Sequence, residues 1–150
     1  MNIGVSLLSM TDEDYIENAK RIATEAHAGQ FRRDGVTPYI RHPEKVAEIV
    51  RRRGGDYEVI AAAWLHDVLE DTNTTAYDLK CQGVGEDVTR AVVALTHQEN
   101  ESYFDAINRA KKNAIARQVK IADNLANLGD SPTDRQIIKY SKSLGILMKD

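Results

Sequence analysis

The chain lacks the features that mark several large protein classes. It has one cysteine, Cys81, so no internal disulfide can form. That suits a reducing compartment, and the cytoplasm is the expected location. Lys and Arg are not in excess: 20 basic residues stand against 23 acidic ones, for a net charge of −3. A dedicated DNA or RNA binder would more often carry a basic surplus. No apolar run approaches the ~20 residues a membrane span needs, so no membrane partner is expected. The start, "MNIGVSLLSMTDED", has no basic n-region and reads as no signal peptide. Internal repeats, low-complexity tracts, linkers and alternating strand patterns longer than four residues are missing too.

What remains is ordinary globular material, with 42% hydrophobic and 29% charged residues in 150 positions. A chain of this length buries roughly 68–70% of its unfolded surface and needs no staple. It reads as one domain, 1–150, and as all-α. Thr11 and Asp14 offer a capping box for a first helix of about 12–28. A loop follows over 28–41. Pro43 suits the first turn of a second helix, which Gly54-Gly55 stop. Asp56 caps a third, running to Asp71. Further helices are expected over 75–82, 85–97, from Ser102, and over 113–128. A last one restarts at Ser131-Pro132, with Ile137, Ile138, Tyr140, Leu144 and Leu147 on its apolar side.

The third of these helices is odd. After the apolar run Val59 to Leu65 come His66, Asp67, Glu70 and Asp71. At helical spacing His66 lies under Glu70 and Asp67 under Asp71. Carboxylates at a helix C-terminus also oppose its dipole, so a compensating cation is implied. His42 opens the second helix, and Asp123 stands in the otherwise apolar "VKIADNL". Together His42, His66, Asp67 and Asp123 form a mixed nitrogen and oxygen set that suits manganese, iron or zinc. Taken alone, "HD" reads as an exposed helix end with solvated carboxylates, and His42 and Asp123 are what weigh against that.

The segments "HAGQFRRDGVTPYIRHP" (27–43), "AAAWLHDVLEDT" (61–72) and "VKIADNLANL" (119–128) resemble the HD superfamily of metal-dependent phosphohydrolases. More narrowly they resemble the hydrolase domain of RelA/SpoT-type stringent-response enzymes and the small alarmone hydrolases. The likeness covers roughly residues 20–145. It implies an HD-type helical bundle and one divalent ion, most often Mn²⁺, on His42, His66, Asp67 and Asp123. It also implies an acidic pair, Glu70 and Asp71, for water and proton handling, and substrate contacts from Arg32, Arg33 and Asn127. The implied reaction removes pyrophosphate from the 3′ position of ppGpp or pppGpp. Which of Glu70 and Asp71 is the acid or base stays open.

Three positions depart from the family pattern. Asp34 stands where serine is commoner and would repel a nearby phosphate. Ala114 stands where proline often follows the asparagine. Ala126 replaces a larger residue. The alternatives are an HD phosphohydrolase acting on a deoxynucleotide or NADPH, and a non-catalytic nucleotide-binding or antitoxin-type module. Outside the site, His27 is expected to hold the loop by hydrogen bonds, His97 to be exposed, Trp64 to be core, and Arg51–Arg53 to be a solvated helix end.

Overall fold

Seven consecutive residues, Val59 to Leu65, are buried on every side. A helix apolar all round can only be stable when other helices enclose it. That helix, α3 (Tyr57–Leu65), packs against α1 (Asp12–Ala26), α2 (Arg41–Arg52), α6 (Glu86–Leu95) and α8 (Ala114–Leu128). The remaining elements are α4 (Val68–Asp71), α5 (Ala76–Cys81), α7 (Tyr103–Lys111) and α9 (Asp134–Met148). These come from a computed structural model that describes residues 10–150; most of the segment read above for a signal peptide lies outside them. Among the described residues there is no named strand, and no helix is long and apolar enough to cross a membrane.

Side-chain caps set most helix starts. Thr11 and Asp14 form the expected capping box, and Asp56 accepts from the N–H groups of Glu58 and Val59. Thr75 with Asp78 and Thr133 with Gln136 form two more boxes. The last helix is therefore capped by Thr133, two residues beyond the expected Ser131.

Two expectations fail in informative ways. The third helix does not run through to Asp71. The His66 imidazole Nδ1 lies 2.6 Å from the Ala63 carbonyl, the acceptor an unbroken helix would offer to the Asp67 N–H. The chain turns at His66-Asp67 and restarts as the single turn α4. Glu70 and Asp71 thus belong to a new helix and do not stand against the dipole of α3. The second failure is on α9, where Ile137 is 43% and Ile138 70% exposed. The buried side of α9 is centred on Ser143 and Leu147, and Ser143 accepts a 2.6 Å hydrogen bond from the buried Asn124 of α8.

The loop between α1 and α2 is a narrow hairpin. Phe31 and Pro38 form an isolated antiparallel bridge, with Arg32 N–H on Thr37 O and Tyr39 N–H on Gln30 O, both 2.8 Å. Gly35 sits at its tip with φ 72°, a conformation that favours glycine.

Candidate metal centre and adjoining cleft

Three elements bring the metal-ligand candidates together. The first turn of α2 supplies His42, the α3–α4 break supplies His66 and Asp67, and the middle of α8 supplies Asp123. His42 Nε2 lies 2.9 Å from Asp123 Oδ1 and 3.9 Å from Asp67 Oδ2. His66 Nε2 lies 3.1 Å from Asp67 Oδ2 and 3.7 Å from Asp123 Oδ1. One donor atom each from His42, His66 and Asp123 falls within 4.8 Å of the others, and all three residues are buried.

Whether a divalent ion fits is answered by His66. Its Nδ1 is used on Ala63 O, which leaves Nε2 carrying the lone pair toward the carboxylates. That Nε2 is buried and has no hydrogen-bond partner. An orphaned imidazole nitrogen facing two carboxylates and a second imidazole is a donor set for a divalent cation.

The charges agree. Burial pulls the His66 pKa down, but Asp67 and Asp123 more than offset it and leave it well above its ordinary value. Burial opposes ionisation of Asp67, yet His66 and His42 hold its pKa to about 2. Asp123 is held well below the usual range against burial, first by Lys120 and then by the two imidazoles. The two carboxylates stay ionised by drawing positive charge onto Lys120 and the imidazoles, and a divalent ion would take the place of the imidazole proton and free Nε2 as a ligand.

Two residues at this centre were not picked out from the sequence. Tyr39 Oη donates to Asp67 Oδ2 at 2.6 Å, and Lys120 Nζ donates to Asp123 Oδ2 at 2.9 Å. Lys120 could have been suspected from its place three residues before Asp123, one turn away on the same face. Tyr39 carried no such signal, because it reaches Asp67 across 28 positions.

The acidic pair is split between two surroundings. The Glu70 carboxylate accepts the His97 N–H at 2.7 Å and borders a small cavity of about 110 Å³ shared with His97, Tyr103 and Lys120. Arg109 holds that loop through Ala94 O, Thr96 O and the Glu101 carboxylate. Asp71 is exposed on the hairpin side; partial desolvation and then the Asp67 charge push its pKa up. Its carbonyl accepts from Gln30, whose side-chain oxygen lies 2.9 Å from His27 Nδ1. The buried His27 therefore does anchor the hairpin.

Beside the metal centre lies a cleft of about 480 Å³. Its walls include Arg32, Arg33, Tyr39, Asn127, Gln136 and Tyr140. The three residues expected to meet substrate therefore share one cavity. Arg32 is tethered to Asp130 at 3.1 Å and lies over the Tyr39 ring. Asn127 Nδ2 also donates to Asp123 Oδ1 at 3.2 Å. Asp34, expected to repel a nearby phosphate, also lines this cleft. Its carboxylate turns back to accept from Val36 N, Thr37 N and Thr37 Oγ1, and the Thr37 bonds hold its pKa to about 2. Trp64 is core, His97 is exposed, and Arg51 and Arg52 are exposed in the last turn of α2, as expected.

Comparison with known proteins agrees with this geometry. The family model described as HD domain matches residues 19–130. The guanosine-3′,5′-bis(diphosphate) 3′-pyrophosphohydrolase MESH1 of Xenopus tropicalis is 38% identical over 128 residues, covering 80% of this chain and 71% of that protein. A guanosine-3′,5′-bis(diphosphate) 3′-pyrophosphohydrolase of Aquifex aeolicus is 36% identical over 121 residues; the match covers 75% of this chain and 17% of that longer protein. A solved structure described as a metazoan ortholog of SpoT that hydrolyzes ppGpp superposes with a TM-score of 0.75 at 25% identity. It covers 99% of this chain and 89% of that one.

Proposed function

The chain belongs to the HD-domain family, and from that premise we propose that it hydrolyses guanosine 3′,5′-bis(diphosphate), releasing pyrophosphate from the 3′ position. The ion is manganese, held by His42, His66, Asp67 and Asp123. What supports this reading most is the order of residues along α8: Asp123 in the ligand cluster and, one turn on, Asn127 in the cleft that also holds Arg32 and Arg33. A nucleotide in that cleft has its phosphate beside the cluster.

When bound, the ion supplies charge neutralisation and a lowered water pKa. The chain's own residues do the rest. Arg32 and Arg33 offer forked donors to phosphate oxygens, with Arg32 exchanging Asp130 for the substrate. Glu70, steadied by the His97 N–H, takes a proton from the attacking water. Water oxygen bonds to the phosphorus on O3′, and the P–O3′ bond breaks with its electron pair going to O3′. Asp71, kept protonated to higher pH than an ordinary aspartate, gives O3′ its proton. Positioning and electrostatics carry most of such a reaction.

The test is a substrate panel with manganese-loaded protein. Pyrophosphate released from ppGpp, with GDP as co-product, supports the reading. Inorganic phosphate released from deoxynucleotides or NADPH, with no turnover of ppGpp, would replace it with another HD phosphohydrolase. Tight nucleotide binding without turnover at any metal concentration would replace it with a binding module.

A further inference from the structure

Lys139 of α9 is used by nothing described so far. It has no carboxylate within ion-pair distance among the described residues. Its amine instead lies 4.2 Å from the centre of the Tyr103 ring and 5.5 Å from that of Tyr140, a wall of the cleft. Lys120 Nζ lies 6.0 Å from the same Tyr103 ring. The two amines, from different helices, therefore both border one aromatic side chain. Lys120 spends one N–H on Asp123 and keeps its other donors. Burial and then the charges of Lys120 and Arg33 pull the Lys139 pKa below its ordinary value. Cations drawn together without enough anion are a ready site for a polyanion.

The position of this pair decides which anion. Lys120, Asp123 and Asn127 fall at i, i+3 and i+7 on α8, in one stripe with Asp123 in the middle. The cleft lies at the Asn127 end and Lys120 at the other, with Lys139 beside Tyr140 of the cleft wall. A substrate whose nucleoside fills the cleft and whose scissile phosphorus sits by Asp123 must extend its next phosphoryl group toward Lys120.

We propose that Lys139, together with Lys120, forms a phosphate subsite that binds the distal phosphoryl group of the 3′-diphosphate and so selects a diphosphate over a monophosphate at that position. This rests on the proposed function. Its recognising chemistry is two ammonium groups on the outer phosphate, which stays on the released pyrophosphate when the P–O3′ bond breaks.

The experiment compares the wild type with Lys139→Met, Lys139→Gln and Lys139→Arg. Steady-state rates are measured on ppGpp and on its analogue with a 3′-monophosphate. Losing one charge-assisted contact should lower the ratio of kcat/KM for diphosphate over monophosphate ~10-fold, chiefly through KM, with Arg restoring most of it. Inorganic pyrophosphate, titrated by calorimetry at fixed free manganese, should bind the Met and Gln variants ~10-fold more weakly. A ratio unchanged within about twofold, with unchanged pyrophosphate binding, overturns the subsite. Equal losses on both substrates overturn it as well, because they assign Lys139 to the 5′ arm. A wild type inert toward ppGpp overturns the proposed function instead, and the calorimetric arm then judges the subsite alone.

Discussion

Each oxygen of Asp123 has its own partner. Oδ1 faces His42 and Asn127, while Oδ2 is taken by Lys120. Such outer partners fix how a carboxylate presents itself to a metal. Glu70 is held differently, by a main-chain N–H, and a glutamine can accept the same bond. Glu70→Gln should therefore keep the loop and the metal while losing the base. We expect kcat to fall between about 10²-fold and 10⁴-fold, with manganese affinity by calorimetry unchanged. Full activity in that variant would remove Glu70 from the chemistry. The ligand cluster could be suggested from sequence because a histidine and carboxylates beside buried helix are costly without a cation. Tyr39 and Lys120 were less legible. A tyrosine in a loop and a lysine on a helix each have an inexpensive solvated alternative, and only the packing removes it.

At the scale of elements, the α3–α4 break and α9 show where pattern reading stops. Periodicity registers apolar side chains, so it joined α3 to α4 and put Ile137 and Ile138 inward. The deciding contacts are polar: the His66 imidazole on Ala63 O, and Ser143 with Asn124. In the loop before α7, Arg109 holds Glu101 at 2.7 Å and its pKa at about 2, below the ordinary 4.5. A depressed carboxylate stabilises the fold above its unfolded pKa and loses that contribution as pH falls through the folded one. Wild-type melting temperature should therefore drop between pH 4.5 and about 2. Glu101→Gln should flatten that part of the drop, and an identical profile would show the pair to be idle. Ala114, the N1 residue of α8, follows Asn113 at φ −104°, ψ 120°, which a following proline tolerates. Ala114→Pro should raise stability by about 0.4–1 kcal/mol, read as a higher denaturant midpoint.

The whole molecule brings distant segments to one centre, and the centre should repay the fold when it is filled. Manganese at 100 times its dissociation constant should stabilise the protein by about 2.7 kcal/mol, or roughly 5–10 °C in melting temperature for a chain of this length. His66→Ala should abolish that shift while the far-ultraviolet circular dichroism stays helical. A shift retained in the variant would put the ion elsewhere. The all-α class and the order of helices were plain from the sequence, since caps and apolar faces are local. The cleft was not, because its walls come from the hairpin, the end of α8 and the start of α9. His66 hangs from the end of α3, the helix buried on all sides, whereas the hairpin carrying Arg32 and Arg33 lies at the surface, with Phe31 and Val36 exposed. Amide protons of α3 should then exchange with deuterium only when the entire protein opens, and those of the hairpin far sooner. Under the proposed function, the ion's cradle and the nucleotide's gatepost would then breathe on separate clocks, and product would depart without loosening the metal.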